Sequence, residues 1–279
     1  MALKIGQTNT LKVIRKTDIA YVLRSDSNEE VFLHVNESNH QVLTPNQLVD
    51  AFLYYDAKGR LAATLAKPFI EVGRPGILSV VSVNPSLGVF MDLGISKDVL
   101  LSKDFLPQNL EEWPQENDEL LVELIHKNRL VAKPLSYQEL RVIVGNLELH
   151  EEVSGHIQDL GKIGVFVLTQ AGNTILVRKS NLRGSYRLGQ KVNVKVTYIS
   201  EKGYEGSLIG TKEHVRVDDA SLIMKVLDEH GGIMPYTADT DSETITQAFG
   251  LSRKAFKRAL GLLYKDRKVK FENGKTIKL

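Results

Sequence analysis

Residues 192–198, Val-Asn-Val-Lys-Val-Thr-Tyr, place an apolar side chain at every second position, the period of a strand with one buried face. Short runs of this kind, bounded by Gly, Asn, Asp or Pro, fill most of the first 210 residues and recur in a fixed order. One set comprises residues 155–160, Gly164-Val-Phe-Val-Leu, Thr174-Ile-Leu-Val-Arg-Lys-Ser, 188–196 and Gly206-Ser-Leu. An earlier set comprises residues 78–83, Gly88-Val-Phe-Met-Asp-Leu-Gly, Asp98-Val-Leu-Leu-Ser, 118–124 and Arg129-Leu-Val-Ala-Lys-Pro. A weaker copy runs through residues 11–14, Ala20-Tyr-Val-Leu, Val31-Phe-Leu-His-Val, 48–54 and Arg60-Leu-Ala-Ala-Thr. It closes on Ala66-Lys-Pro, as the middle copy closes on Ala132-Lys-Pro. Five short strands rich in Val, Ile and Phe, within about 60 residues, predict a small closed barrel, which leaves no edge strand open.

From residue 218 the period lengthens. Leu222, Ile223, Val226 and Leu227 recur at helical spacing, and His230-Gly-Gly ends the pattern. Residues 233–236 read as a short strand and 243–249 as a second helix, with Ser242 available as its cap. Ser252 opens a third helix to about Lys265. Residues 268–272 and 275–279 are two strands joined by Asn273-Gly274, a strong hairpin signal. This order of helix, strand, two helices and a β-wing is that of a winged helix, whose third helix is the candidate reader. The expected fold is therefore mainly β with a C-terminal α+β domain. It has three five-stranded barrels of OB type over residues 1–68, 69–134 and 150–212, and a winged helix over 213–279. Residues 135–149 read as a linker, where the capping box Ser136-Tyr-Gln-Glu139 suggests a short helix up to Gly145.

The net charge of +2 is too small to point to a partner, but its distribution is uneven. Residues 1–149 hold 15 Lys and Arg against 19 Asp and Glu, whereas residues 252–279 hold 10 against 2. A polyanion is drawn to the C-terminal half, because phosphate contacts follow local charge. The chain has no cysteine, which excludes disulfides and thiolate zinc sites. No apolar run approaches membrane-spanning length and residues 1–10 lack a signal-peptide core, so a cytoplasmic location with no membrane partner is expected. Enzyme motifs are wanting. Gly274-Lys-Thr ends like a phosphate loop but has Val269 where the earlier glycine belongs. Asp239-Thr-Asp-Ser-Glu begins like a calcium loop but has Thr244 at the turn glycine. No catalytic residue, cofactor, metal or small-molecule substrate is expected.

Each repeat resembles the OB-fold RNA-binding domain named after ribosomal protein S-one, most specifically at Gly164-Val-Phe-Val and Gly88-Val-Phe-Met. The whole chain resembles the conserved virulence factor B family of Gram-positive bacteria. Leu93-Gly-Ile-Ser-Lys-Asp-Val-Leu, Trp113-Pro-Gln and Phe256-Lys-Arg-Ala-Leu-Gly-Leu-Leu-Tyr-Lys carry that match. The resemblance implies binding of single-stranded RNA without catalysis, and an influence on the expression of other genes, virulence factors among them. DNA binding through the winged helix and a scaffold role on the ribosome are the alternatives.

The resemblance also assigns candidate RNA-binding residues. In the third barrel Phe166 takes the family's stacking position and Arg178 its usual His, with Lys179, Arg183, Arg187, Lys191 and Lys195 around them in sequence. In the first, Tyr21, His34, Asp56 and Arg60 fit the aromatic, His, Asp and Arg positions; in the second, Phe90 and Arg129 fit, while Leu100 falls at the His position. The aromatic that usually precedes the glycine is replaced by Asp18, Leu87 and Ile163. Phe90 and Phe166 are equally readable as barrel core, whereas the Tyr21 hydroxyl favours the surface. On the third winged helix, Arg253, Lys254, Lys257, Arg258 and Lys265 lie largely opposite Phe256, Leu260 and Leu263. Arg267, Lys268 and Lys270 continue the basic stripe into the wing. Gly261 interrupts that helix at a cost of about 1 kcal/mol relative to Ala, which implies close packing or close backbone approach.

Overall fold

The computed structural model describes residues 2–140, 147–209 and 212–279. They form two compact units, Met1–Leu208 and Ile209–Leu279. The first holds three closed five-stranded barrels. Their strands are β1 (Thr8–Lys16), β2 (Ala20–Arg24), β3 (Glu30–His34), β4 (Leu48–Tyr55) and β5 (Leu61–Thr64); β6 (Gly76–Asn84), β7 (Gly88–Met91), β8 (Val99–Ser102), β9 (Glu119–His126) and β10 (Leu130–Pro134); and β11 (Glu152–Leu160), β12 (Gly164–Thr169), β13 (Thr174–Arg178), β14 (Lys191–Ser200) and β15 (Gly203–Ser207).

All three close in one way. The third strand pairs parallel with the fifth, and the fourth returns antiparallel to the first. Each first strand carries a register shift, at 13/15, 80/82 and 157/159, which bends it so that its two ends serve opposite sides of the barrel. The cores hold the alternating residues, for example Ile157, Val165, Val167, Ile175, Val177, Val194 and Val196 in the third barrel. The barrels are not beads on a string. Phe52 and Tyr54 from β4, and Leu188 ahead of β14, are buried in one cluster with the core of the second barrel. Apolar contact between neighbours fixes the three as one body.

In the second unit, α1 (Lys212–Glu229), β16 (Ile233–Met234), α2 (Ser242–Phe249), α3 (Arg253–Lys265), β17 (Val269–Glu272) and β18 (Lys275–Lys278) follow the winged-helix order, with sheet order β16-β18-β17. Helix α1 begins six residues before the expected Asp218, since no Gly or Pro intervenes to stop it. Asp241, not Ser242, caps α2, its carboxylate accepting from the Thr244 amide at 2.9 Å. Ser252 caps α3, as expected. Asn273 (φ 48°) and Gly274 (φ 71°) adopt the left-handed pair that a two-residue hairpin needs. The Ser136–Glu139 capping contacts also form, yet no helix follows as far as Leu140. The rest of the expected helix, to Gly145, lies outside the described residues. Among the described residues no helix is long and apolar enough to cross a membrane.

Candidate nucleic-acid interface

Strand pairing aligns the three barrels residue by residue and corrects three sequence assignments. Gly164 pairs with Arg178 and Phe166 with Leu176; Gly88 pairs with Ser102 and Phe90 with Leu100; Ala20 pairs with His34 and Val22 with Phe32. Ser102, not Leu100, therefore stands at the His position of the second barrel. In the first barrel Val22 occupies the place of Phe166, and Tyr21 falls one residue off. That shift of one reverses the face. Tyr21 is 2% exposed inside the barrel, where its hydroxyl accepts from the Leu43 amide, so it is not the surface aromatic expected. The outward aromatic of this barrel is Phe32, across the strand pair and 54% exposed. The backbone carbonyls of Ile19, Leu87 and Ile163 each accept from the first residue after the third strand. Ile19, not Asp18, is therefore the counterpart of Leu87 and Ile163, and all three are exposed.

The first barrel presents Phe32, Ile19, His34, Asp56, Arg60 and Tyr54 around a cleft of about 750 Å³. His34 is exposed, and its Nδ1 accepts from the Asn36 amide. Asp56 holds Arg60 through contacts to its Nε at 2.8 Å and Nη2 at 2.6 Å. Those bonds, led by the Arg60 backbone amide, keep the Asp56 carboxyl below its usual range. The charge of Arg60 is thus largely balanced within the site. In the second barrel Phe90 is half-buried beside Arg129, Leu100, Tyr54 and Tyr55, around a smaller cleft of about 140 Å³. There Lys97 donates to the carbonyls of Tyr55 and Asp56, which ties the first barrel to the second. Burial pulls its ammonium below the usual range, with Asp56 opposing.

In the third barrel Phe166, Arg178, Tyr198 and Lys202 border an open groove of about 890 Å³. Phe166 itself is only 6% exposed, because Tyr137 lies flat on it with ring centroids 4.2 Å apart and planes within 2°. The stretch read as a linker therefore covers the expected stacking residue. Arg178 forms a two-point pair with Glu205, Nε at 2.8 Å and Nη2 at 2.5 Å, which holds the glutamate below the usual carboxylate range.

The cations expected around Phe166 do not converge on it. Lys179 and Arg183 are exposed beyond β13, Lys195 is half-buried on β14, and Lys191 lines a separate cleft with Glu119 and His156. Arg187 grips Asp118 of the second barrel, Nε at 2.8 Å and Nη2 at 3.1 Å. The Asp118 side chain is 8% exposed, so this pair clamps two barrels rather than offering a phosphate contact. Arg187→Ala should cost about 1.5–3 kcal/mol of unfolding free energy, the range for a hydrogen bond to a charged group, while leaving the salt dependence of ligand binding unchanged. Denaturant unfolding and a salt titration check both parts.

The winged helix does segregate its charges. On α3, Ala255, Phe256, Ala259, Leu260 and Leu263 are buried, while Arg253, Lys254, Lys257, Arg258, Lys265 and the following Lys268 are exposed. A methyl group added at Gly261 would meet nothing within 4 Å. Close packing inside the unit is thus excluded as its reason. Tyr264 and Phe271, both exposed, stack at 5.3 Å beside this stripe. Sequence reading missed them, as it missed Phe32, Tyr137 and Tyr198. For Phe32 the apolar run Val31-Phe-Leu-His-Val hides which residues point inward; for Tyr137 there was no signal, since its partner is remote in sequence.

Comparison with known proteins agrees with this architecture. Models described as an S1 domain and as the CvfB first S1-like domain match residues 5–66 and 76–133, and a CvfB-like winged helix domain matches 221–279. Uncharacterized protein YitL of Bacillus subtilis is 33% identical over 281 residues, spanning 99% of this chain and 94% of that protein. The chain belongs to the conserved virulence factor B family. A member named Conserved virulence factor B from Staphylococcus aureus is 29% identical over 279 residues, covering 97% of this chain and 93% of its own. A solved multidomain protein with nucleic acid binding domains from Streptococcus pneumoniae superimposes with a TM-score of 0.64 at 25% identity, over 99% and 98% of the two chains. The family's S1 and winged-helix domains are of nucleic-acid-binding type, and this chain carries both.

Proposed function

We propose that this protein binds single-stranded RNA and, by occupying it rather than cutting or modifying it, alters the expression of other genes in the cytoplasm. The observation that carries the reading is the recurrence, on corresponding strand pairs of three closed barrels, of aromatic rings beside cations. These are Phe32 with Arg60, Phe90 with Arg129, and Phe166 under Tyr137 with Arg178. An OB surface of that kind holds unpaired bases by stacking, at about 1–3 kcal/mol per base, while cations track the backbone. The basic face of α3 supplies phosphate contacts without countercharge in its first turn. The names of the relatives, a virulence factor and a protein with nucleic acid binding domains, support the same direction. The exposed face of α3 also supports a second reading, duplex DNA in the major groove, although one such helix offers a small footprint.

The reading is tested by titrating labelled RNA homopolymers into the full chain. Submicromolar binding that weakens with added salt is expected, and no binding to any homopolymer contradicts it. Gly261→Ala gives a sharper expectation. Filling an open helix position with Ala should raise stability by roughly 1 kcal/mol, and it should weaken RNA binding where the ligand backbone approaches α3. Thermal unfolding and an RNA titration on one variant check both signs; tighter or unchanged binding removes Gly261 from the interface.

A further inference from the structure

We propose that Tyr137, carried on the stretch that leads into the third barrel, is the residue on which that barrel stacks an RNA base, with Phe166 as the support beneath it. The inference rests on the RNA-binding reading and names a residue within it. Phe166 cannot itself receive a base: it is 6% exposed, and a parallel ring 4.2 Å away covers it. Tyr137 is 42% exposed, so one face is taken by Phe166 and the other looks into solvent, toward the groove that Tyr198, Arg178 and Lys202 also border. Offset or parallel stacking on a flat, apolar-backed ring is the arrangement that a base uses on a protein aromatic.

The ring is also held in place before any ligand arrives. The Tyr137 amide donates to Asp159 Oδ2 at 2.9 Å. Immediately before it, the Ser136 amide and hydroxyl donate to Glu139 Oε2 at 2.9 and 2.8 Å. Lys133 bridges Glu123 and Glu139, each at 2.8 Å. Gln158 Nε2 donates to the Leu135 carbonyl at 2.9 Å. Anchors from β9, β10 and β11 thus fix both ends of a one-residue platform. A ring so fixed needs no ordering on binding, which is how preorganisation raises affinity. The same anchors argue against Tyr137 as a plug that swings aside, since leaving Phe166 would break the stack and strain the turn that holds it.

Full-chain variants Tyr137→Ala, Tyr137→Leu and Tyr137→Phe, titrated with a short fluorescein-labelled oligouridylate, test the assignment. Tyr137→Leu keeps Phe166 covered, so it removes the aromatic face without opening the barrel surface. Both Tyr137→Ala and Tyr137→Leu should raise Kd about five- to a hundredfold, the loss of one stacked base. The salt slope should stay that of the unsubstituted chain, because stacking releases no counterions. Tyr137→Phe should bind within about twofold of it. Unchanged affinity in Tyr137→Leu overturns the proposal, and tighter binding in Tyr137→Ala overturns it in favour of a plug. If the unsubstituted chain binds no oligouridylate or other RNA, the RNA reading falls and this inference with it; if it binds and the substitutions are silent, only this inference falls.

Discussion

A chain in which Arg253, Lys254, Lys257 and Arg258 are all alanine should fold normally and bind single-stranded RNA about a hundredfold more weakly near 0.15 M salt. Each phosphate contact contributes about 0.7 to the slope of log K against log salt on a single strand, so four contacts should flatten it by about 2.8. At about 0.15 M salt a change of that size amounts to roughly two decades in K. The fold should not suffer. All four side chains are exposed, opposite the buried Phe256 and Leu260. Two of them, Arg253 and Lys254, sit in the first turn of α3, where the helix dipole disfavours cations by about 0.3–1 kcal/mol each and no acidic residue compensates. On the proposed reading, a phosphate of the bound RNA offsets that penalty. A four-alanine variant with unchanged slope and affinity would make the stripe merely a solvated face.

Gly164→Ala should unfold the third barrel, with a loss above about 4 kcal/mol. A Cβ at this position would lie 2.0 Å from the Val177 carbonyl oxygen and 2.8 Å from the Arg178 Cα. Both are backbone atoms of the neighbouring strand, held by the β12–β13 ladder, so neither can turn aside as a side chain would. Gly88 is under the same constraint, with a Cβ 2.1 Å from the Leu101 carbonyl oxygen. The glycine of each Gly-Val-Phe run is therefore a spacing requirement of the barrel. The first barrel is the natural control. Ala20 occupies the corresponding position, so β2 and β3 already admit a methyl group, and Ala20→Gly should cost only about 1 kcal/mol through added chain freedom. Thermal unfolding monitored by circular dichroism separates the two substitutions. Gly164→Ala melting with the unsubstituted protein would mean that β12 and β13 sit farther apart than described.

Much of the fold is legible in the sequence because alternation, Gly-Val-Phe and Asn273-Gly274 are local signals with local causes. The register of the first barrel is less so. Ala20 replaces the marker glycine, and Val31-Phe-Leu-His-Val is apolar nearly throughout, which hides the alternation. An error of one residue then sends Tyr21 outward on paper when it points into the core. Interface residues show the same limit for a different reason. Lysines and arginines near Phe166 in sequence could be counted, but Arg187 finds Asp118 in the preceding barrel, and only closure of the chain brings that carboxylate near. Tyr137 lies in a stretch without periodicity, and nothing local announces that it will stack on Phe166. The basic face of α3 was readable throughout, since an amphipathic helix carries its own geometry in its spacing.

The central claim, that the barrels and the winged helix serve single-stranded RNA, is tested most directly by competition. The full chain is bound to a labelled single-stranded RNA and challenged with unlabelled single-stranded RNA or with duplex DNA of equal length, at one fixed salt concentration. Displacement by the single-stranded RNA at a concentration at least about tenfold lower than by the duplex, a gap of roughly 1.4 kcal/mol, is the predicted result. Displacement by duplex DNA at equal or lower concentration would contradict the account and assign the basic face of α3 to the major groove.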